Sequence, residues 1–88
     1  MKVEFLNKFN KDLDNLTNPN IKVSILKAIE SIEISKNLSE ISNVKKLKGH
    51  KFAYRIKLGD YRLGFYFENQ IVELARVVHR KDIYKIFP

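Results

Sequence analysis

The most restrictive feature of this 88-residue sequence is a change in the spacing of its apolar residues about half-way along the chain. Upstream, apolar residues recur at helical intervals, but from Phe52 onward they occupy every second position on both sides of Gly59-Asp60. Alternation with a period of two indicates half-buried strands, and a leading glycine is typical of a type II′ turn. The stretch YRIKLGDYRLGFY, residues 54–66, therefore predicts an antiparallel hairpin.

The two-residue turn also predicts the hairpin register. One face then consists only of apolar or aromatic pairs, namely Leu58–Tyr61, Ile56–Leu63, Tyr54–Phe65 and Phe52–Phe67. On the reverse face, Lys57 lies opposite Arg62 and Arg55 lies opposite Gly64. Like charges that face each other across a sheet lower its stability, so this cationic pair calls for a functional explanation.

A second turn at Asn69-Gln70 predicts a third strand, from Ile71 to about Val78. The same register arithmetic places Val78 opposite Tyr61. It places His79 beside Asp60, on the cationic face.

Two further features of this strand depend on that register. Arg76 falls on the apolar face, so we expect it near a sheet edge, extended to solvent or paired with an acid. Gly64 and Ala75 are small, so the cationic face is predicted to be hollow at its centre.

The first half of the chain predicts one strand and two helices. Lys2 to Leu6 alternates as a short strand, Asn7 is a candidate N-cap for a helix to about Leu16, and Pro19 opens a second helix that ends near Ile34. Residues 35–44 are predicted to form a loop. The predicted fold is a single α+β domain, residues 1–88, in which an N-terminal strand and a helical hairpin pack on one face of an antiparallel sheet meander.

The excess of positive over negative charge is confined to the second half of the chain. Residues 45–88 carry eleven Lys and Arg against four Asp and Glu, whereas residues 1–44 carry six of each. All four arginines lie in the basic half. A neutral half joined to a basic half indicates a scaffold with a surface for a polyanion such as nucleic acid, or for an acidic protein.

Several classes of protein are disfavoured by composition. The chain has no cysteine, so we expect neither disulfides nor thiolate metal sites. Its two histidines form no metal-binding motif, and no nucleotide-binding glycine motif is present, so we expect no metal and no cofactor. The sequence has no apolar stretch long enough for a membrane span and no signal-peptide core, which predicts a soluble, cytoplasmic protein.

Three motifs resemble the RelE/ParE superfamily of bacterial type II toxin–antitoxin toxins: KKLKG (residues 45–49), YRIKLGDYRLGFY and HRKDIY (residues 79–84). The resemblance covers nearly the whole chain. It implies a cytoplasmic toxin that a cognate antitoxin neutralises in a hetero-oligomeric complex. In the RelE branch the activity is mRNA cleavage in the ribosomal A site, whereas ParE-like members inhibit DNA gyrase and usually lack the basic catalytic set.

The resemblance to the RelE branch also implies site residues. Lys57 matches the second lysine of the strand motif, and Arg55 replaces the first. Arg62, Arg80 and Tyr84 match the arginine after the turn, the arginine after the last strand and the C-terminal tyrosine. His79 lies where several relatives have a titratable or basic side chain, so the candidate catalytic residues are Lys57, Arg62, His79, Arg80 and Tyr84. The lysine run before the meander is typical of a phosphate-contacting patch, and the candidate RNA-binding residues are Lys45, Lys46, Lys48, Lys51 and Arg55.

The chemistry of RNA cleavage fits these residue types. Attack of a 2′-OH on the adjacent phosphate needs a base, cations that stabilise the transition state, and an acid. Guanidinium groups suit phosphate, and Lys57, which lies opposite Arg62, is the candidate base. His79 is a candidate acid or orienting group, Tyr84 is a candidate for base stacking, and we expect no chemical role for His50.

Two other functions stay open on the sequence alone. One is a gyrase inhibitor of ParE type without nuclease activity, and the other is an RNA-binding module that does not cleave. Each group of residues also has an interpretation without a functional role. The cations would then form a solvated sheet face, the lysines a solvated loop, and Tyr84 would only pack the C-terminus.

Overall fold

The computed structural model describes residues 1–88 and contains one mixed sheet, three helices and a short 3-10 turn. In chain order these elements are β1 (Lys2–Phe5), α1 (Asn7–Asn15), α2 (Pro19–Ile34), the 3-10 turn (Leu38–Glu40), β2 (Val44–Lys46), β3 (Ala53–Leu58), β4 (Tyr61–Glu68), β5 (Ile71–His79) and α3 (Ile83–Ile86). None of these helices has the length and hydrophobicity that a membrane-spanning segment requires.

The five strands lie in the order β1-β5-β4-β3-β2. β3, β4 and β5 form the predicted antiparallel meander, and β1 pairs in parallel with the first half of β5. The predicted α+β class and the N-terminal strand are therefore confirmed. The sequence analysis missed β2, because its three residues lie in a lysine-rich segment with no clear alternation, and they pair with β3 as an edge strand.

The register predicted for the first hairpin is confirmed at all six pairs from Ala53–Tyr66 to Leu58–Tyr61. Gly59 has a φ of +59°, as the first position of a type II′ turn requires. At the second turn both Asn69 (φ 53°) and Gln70 (φ 61°) are left-handed, which is the pattern of a type I′ turn. Both turns are therefore where the sequence places them.

The predicted register of β5 is correct only up to Leu74. A bulge shifts the pairing there, because Phe65 faces Leu74 while Gly64 faces Arg76, which leaves Ala75 as the extra residue. The predicted pairing of Val78 with Tyr61 is therefore wrong. The bulge also moves Arg76 off the apolar face, which explains why a cation can occur in an otherwise apolar strand.

The two long helices cover one face of the sheet, here called the helix face. α2 begins as predicted with Pro19, and the Asn18 side chain accepts a hydrogen bond from the N–H of Asn20 at 2.9 Å. Asn7, by contrast, is the first helical residue of α1 and not its N-cap, which is Leu6. The main core lies between these helices and the sheet and contains Phe9, Leu16, Ile25, Ile32, Ile41, Ile56, Leu63, Phe65, Val72, Leu74 and Val77.

The opposite face of the sheet, here called the cationic face, has a second and smaller core. Residues from the C-terminal segment, Ile83 and Phe87, pack there with Leu47, Ala53 and Ala75. The prediction that this face is hollow at Gly64 and Ala75 is therefore wrong, because the Phe87 ring fills the space above Gly64. The small residues are present to admit an aromatic ring from the same chain.

Candidate functional site

The cationic face presents its charged residues in two rows across the strands. In one row Lys57 of β3 faces Arg62 of β4, as predicted. In the next row Lys45 of β2 pairs with Arg55 of β3. Because side chains of paired residues lie on the same face of a sheet, these rows bring four of the predicted site residues onto one surface.

Two arginines, Arg62 and Arg80, contact the hairpin turn at Gly59-Asp60, which follows Lys57 in the chain. Arg62 donates from Nη1 to the carbonyl oxygens of Gly59 (2.7 Å) and Tyr61 (2.9 Å). The N–H of Arg80 donates to the Asp60 carbonyl at 2.7 Å, and its Nε lies 3.8 Å from the Asp60 carboxylate. We call Lys57, Arg62 and Arg80 the turn cluster.

The side chains of the turn cluster differ in exposure. Lys57 and Arg80 are exposed, and Arg62 is half-buried. Arg62 therefore faces Lys57 in the register while its guanidinium is held by carbonyl oxygens of the turn. Those carbonyls partly offset the repulsion between the two cations and fix the position of one of them.

His79 does not join the turn cluster as predicted. The bulge in β5 places His79 opposite Tyr61, so that both residues belong to the helix face of the sheet. The two rings pack edge to face, with their centroids 5.7 Å apart. Its Nδ1 accepts a hydrogen bond from the N–H of Lys81 at 3.1 Å. The predicted position of His79 on the cationic face is therefore wrong.

Arg55 is held more tightly than its predicted RNA-binding role requires. Its Nη1 donates to the Asn43 carbonyl at 2.9 Å, while its Nε is buried without a hydrogen-bond partner. Asn43 itself is left-handed, with a φ of 66°. Arg55 thus fixes the chain just before β2, and its buried Nε has no hydrogen-bond partner.

Tyr84 lines a separate groove, here called the lysine groove, which has a volume of about 500 Å³. Its side walls are the segment after β2 and the C-terminal segment, and its lining includes Lys45, Lys46, Lys48, His50, Tyr84 and Phe87. Tyr84 is 61% exposed, so its ring is available to a ligand. The structure thus brings the predicted lysines and Tyr84 to one place.

His50 is a lining residue that the sequence analysis dismissed. It follows Gly49, which has a φ of +82°, and the N–H of His50 donates to the Leu47 carbonyl at 3.2 Å. This tight turn places His50 in the lining of the lysine groove. A glycine one residue before a histidine, within a run of lysines, is the signal that could have indicated it.

Lys51 is the one predicted RNA-binding lysine outside the lysine groove. It lies beyond the tight turn, with its ammonium 5.4 Å from the centroid of the Phe52 ring. This contact is a cation–π interaction with an exposed aromatic residue. Lys51 therefore extends the basic surface without contributing to the groove.

The geometry suits a phosphate-bearing chain. The turn cluster supplies three cations, two of them attached to one turn, and the lysine groove supplies further cations beside an exposed aromatic ring. Fixed cations stabilise phosphate charge, and an aromatic ring stacks on a nucleobase.

Comparison with known proteins assigns the family. Residues 3–84 match the family model described as the ParE toxin of the type II toxin–antitoxin system parDE. The whole chain is also 38% identical to Toxin RelE3 of Methanocaldococcus jannaschii, over the full length of both proteins. The chain belongs to the RelE/ParE family of type II toxins. It is a RelE-like toxin of a toxin–antitoxin system.

Solved structures of this family share the fold. The chain is similar to a crystal structure of the RelB–RelE antitoxin–toxin complex from Methanococcus jannaschii, with a TM-score of 0.81, 35% identity and coverage of 97% of this chain and 99% of that chain. It is also similar to the YoeB dimer from Staphylococcus aureus, with a TM-score of 0.74, 17% identity and coverage of 91% and 97%. The second likeness concerns the fold alone.

Proposed function

We propose that this RelE-like toxin is a ribosome-dependent endoribonuclease that cleaves mRNA in the ribosomal A site and so stops translation in the cytoplasm. The observation that carries the proposal is the turn cluster, in which Arg62 and Arg80 are both hydrogen-bonded to the Gly59-Asp60 turn beside Lys57. Cations placed around one turn suit an RNA phosphate, because they stabilise the charge that develops on it during cleavage.

The proposed reaction needs no metal, and each bond that forms is matched by a bond that breaks. Lys57 takes the proton of a ribose 2′-OH, and the 2′ oxygen forms a bond to the adjacent phosphorus. Arg62 and Arg80 stabilise the charge that develops on the phosphate oxygens. The bond from phosphorus to the 5′ oxygen breaks, and the leaving oxygen takes a proton from solvent, giving a 2′,3′-cyclic phosphate and a 5′-OH.

His79 keeps only an orienting role in this proposal. Its Nδ1 already accepts a hydrogen bond from the N–H of Lys81. Its ring packs against Tyr61 on the helix face, opposite to the cationic face. We expect His79→Gln to lower the cleavage rate less than about tenfold, compared with about 100-fold or more for Lys57→Ala.

The lysine groove is proposed to bind the mRNA next to the cleaved bond. Lys45, Lys46 and Lys48 would neutralise phosphates, and Tyr84 would stack on one base. Lys51 and Arg55 would extend this contact on either side. The exposure of Tyr84 and its place among the lysines support this assignment over simple C-terminal packing.

The deciding experiment is primer extension on an mRNA that is being translated by ribosomes. We expect the wild-type toxin to produce cleavage sites that depend on ribosomes, and Arg62→Ala or Arg80→Ala to lower the cleavage rate about 100- to 1,000-fold. Lys22→Ala removes the same charge from the exposed surface of α2 and serves as the matched control. Intact mRNA in the presence of folded wild-type toxin would refute the nuclease.

A cognate antitoxin is proposed as the partner that neutralises the toxin. The support is the similarity to a toxin whose crystal structure is a complex with its RelB antitoxin. We expect co-expression of the small gene adjacent to the toxin gene to restore growth, and the two proteins to purify together as a hetero-oligomer. Separate elution of the two proteins would contradict this partnership.

Inhibition of DNA gyrase is the second candidate function, because the matching family model is described by its ParE member. The two functions are separated by a supercoiling assay with purified gyrase. The nuclease proposal predicts no effect of the toxin on supercoiling. Loss of supercoiling together with intact mRNA would favour the ParE-type function.

A further inference from the structure

The C-terminal segment is attached to the cationic face at two points. Ile83 is fully buried and Phe87 is 4% exposed, while Tyr84 between them is 61% exposed. The N–H of Phe87 donates to the Ile83 carbonyl at 2.9 Å and closes the single turn of α3. A four-residue helix has little stability of its own, so these two side chains determine where Tyr84 stands.

Gly64 is the residue that admits Phe87. A Cβ at this position would lie 2.6 Å from Cδ2, 2.8 Å from Cε2 and 2.9 Å from Cγ of the Phe87 ring. The backbone of Gly64 does not require glycine, because its φ is not in the left-handed region and it lies inside β4. Glycine weakens a strand interior, so its presence here is explained by the ring that it contacts.

The surroundings of Phe87 fix the ring from the side as well. The Tyr66 ring lies 5.1 Å away, centroid to centroid, at a tilt of 52°. Phe87 also lines the lysine groove and a second groove of about 310 Å³ that contains Lys8 and Arg76. Phe87 therefore borders the groove that contains Tyr84.

We infer that Gly64 and Phe87 are positioning residues that hold Tyr84 in the wall of the lysine groove through a size-matched contact. This inference rests on the proposed cleavage of mRNA, in which Tyr84 contacts the substrate and the other two residues do not. A methyl group at Gly64 displaces the ring, the displaced ring moves α3, and Tyr84 leaves the groove.

A purely structural role for the contact predicts something different. The small core around Phe87 is separate from the eleven-residue core on the helix face. A change at Gly64 can therefore disturb α3 while the rest of the protein stays folded. If the contact served only stability, cleavage would follow the folded fraction of the protein and would not depend on Tyr84.

The test is a set of single and double variants measured by ribosome-dependent cleavage, with thermal melting as the control for folding. We expect Gly64→Ala to lower the cleavage rate about tenfold, because small displacements of a positioned group are costly. In the Tyr84→Ala background, and equally in the Phe87→Ala background, we expect Gly64→Ala to have less than a twofold further effect. An undiminished tenfold loss in the Tyr84→Ala background would overturn the inference.

Two further measurements keep the result interpretable. If Gly64→Ala does not fold, the pair Phe87→Ala and Phe87→Ala/Tyr84→Ala carries the same comparison, and Phe52→Ala, which removes a more exposed ring, is its control. The ring signals of Tyr84 in NMR spectra test its position without any activity. They should shift in Gly64→Ala and not in Phe52→Ala. Unshifted signals would refute the inference, even in a toxin that cleaves no mRNA.

Discussion

At the scale of single residues, Asp12 supplies hydrogen-bond acceptors to the Arg76 side chain and to the N–H of Val77, both of which follow the bulge in β5. Its carboxylate accepts hydrogen bonds from Arg76 Nε (2.7 Å) and Nη2 (3.0 Å) and from the N–H of Val77 (3.0 Å). The pairing of β1 with β5 ends at Leu74, so Asp12 supplies the partner that β1 no longer provides. The hydrogen bonds and the charge of Asp12 raise the pKa of Arg76, because both favour the charged guanidinium.

This arrangement predicts a loss of stability when the charge of Asp12 is removed. Asp12→Asn leaves the poorly exposed Arg76 guanidinium without a counter-charge. We expect the free energy of unfolding to fall by about 1–3 kcal/mol, measured by urea denaturation. Asp14→Asn, at an exposed position of the same helix, is the control and should change the free energy by less than about 0.5 kcal/mol. Equal effects of the two variants would contradict the role of Asp12.

Asp60, unlike Asp12, is expected to contribute little to stability and to weaken the binding of RNA. Its carboxylate lies 3.8 Å from Arg80 Nε, and both side chains are largely exposed. A carboxylate there competes with an RNA phosphate for the same guanidinium, while such an exposed pair contributes little to stability.

We therefore expect Asp60→Asn to increase the affinity of the toxin for RNA about two- to fivefold, with an unchanged melting temperature. The measurement is a binding titration at low salt with a short single-stranded RNA. Glu68→Gln, which removes an acid at the far end of β4, is the control. Weaker binding by Asp60→Asn would show that Asp60 assists Arg80 and does not compete with RNA.

At the scale of elements, the sequence was informative wherever the alternation of side chains was unbroken. The first hairpin is correct pair by pair, because a one-residue slip would turn every apolar side chain of β3 to solvent. The bulge at Ala75 was not predictable from the sequence ELARVV. With or without the bulge, the register leaves one of these residues on an unsuitable face of the sheet. The consequence for the site was the wrong position of His79.

The sequence predicts a turn or short helix after the last strand, as α3 confirms, but β2 and the place where the C-terminal segment packs were missed for a related reason. Three residues of β2 and four of α3 are too few to show a period, and both depend on tertiary contacts with the cationic face. Gly64 and Ala75 indicated the space correctly, but only the folded chain shows that Phe87 occupies it. The register predicted the Lys57–Arg62 pair and family resemblance identified Arg80 and Tyr84, whereas only the structure shows that Tyr84 shares a groove with the lysines.

The second hairpin turn offers a stabilising change. Gln70 has a φ of 61°, a conformation that costs a residue with a side chain about 1–2 kcal/mol. Glycine after Asn69 gives the preferred type I′ pair, and its greater freedom in the unfolded chain offsets about 0.5–1 kcal/mol. We expect Gln70→Gly to raise the free energy of unfolding by about 0.5–1 kcal/mol.

The control for this change must account for one hydrogen bond. Gln70 Nε2 donates to the Lys36 carbonyl at 3.2 Å, and any replacement of Gln70 removes that bond. Gln70→Ala removes the bond but keeps the strained conformation, so we expect it to be neutral or destabilising in the same urea titration. A gain from Gln70→Ala equal to that from Gln70→Gly would contradict the argument from φ.

At the scale of the whole molecule, charge and fold are divided in the same way. The neutral half of the chain supplies β1, α1 and α2, and the basic half supplies the rest of the sheet and α3. The two helices cover the helix face, so the excess positive charge gathers on the cationic face and its rim. This division predicts that binding to RNA is dominated by phosphate contacts and depends steeply on salt.

The salt dependence therefore counts the lysines that contact phosphate. For single-stranded nucleic acid, each neutralised phosphate contributes about 0.7 to the slope of log Kobs against log salt concentration. We expect Lys45→Ala and Lys48→Ala, both in the lysine groove, each to reduce the magnitude of that slope by about 0.7. Lys11→Ala and Lys22→Ala, at exposed positions in the helices of the neutral half, should leave the slope unchanged. If all four variants reduced the slope equally, the binding of RNA would depend on the net charge of the molecule and not on the surface that carries the charge.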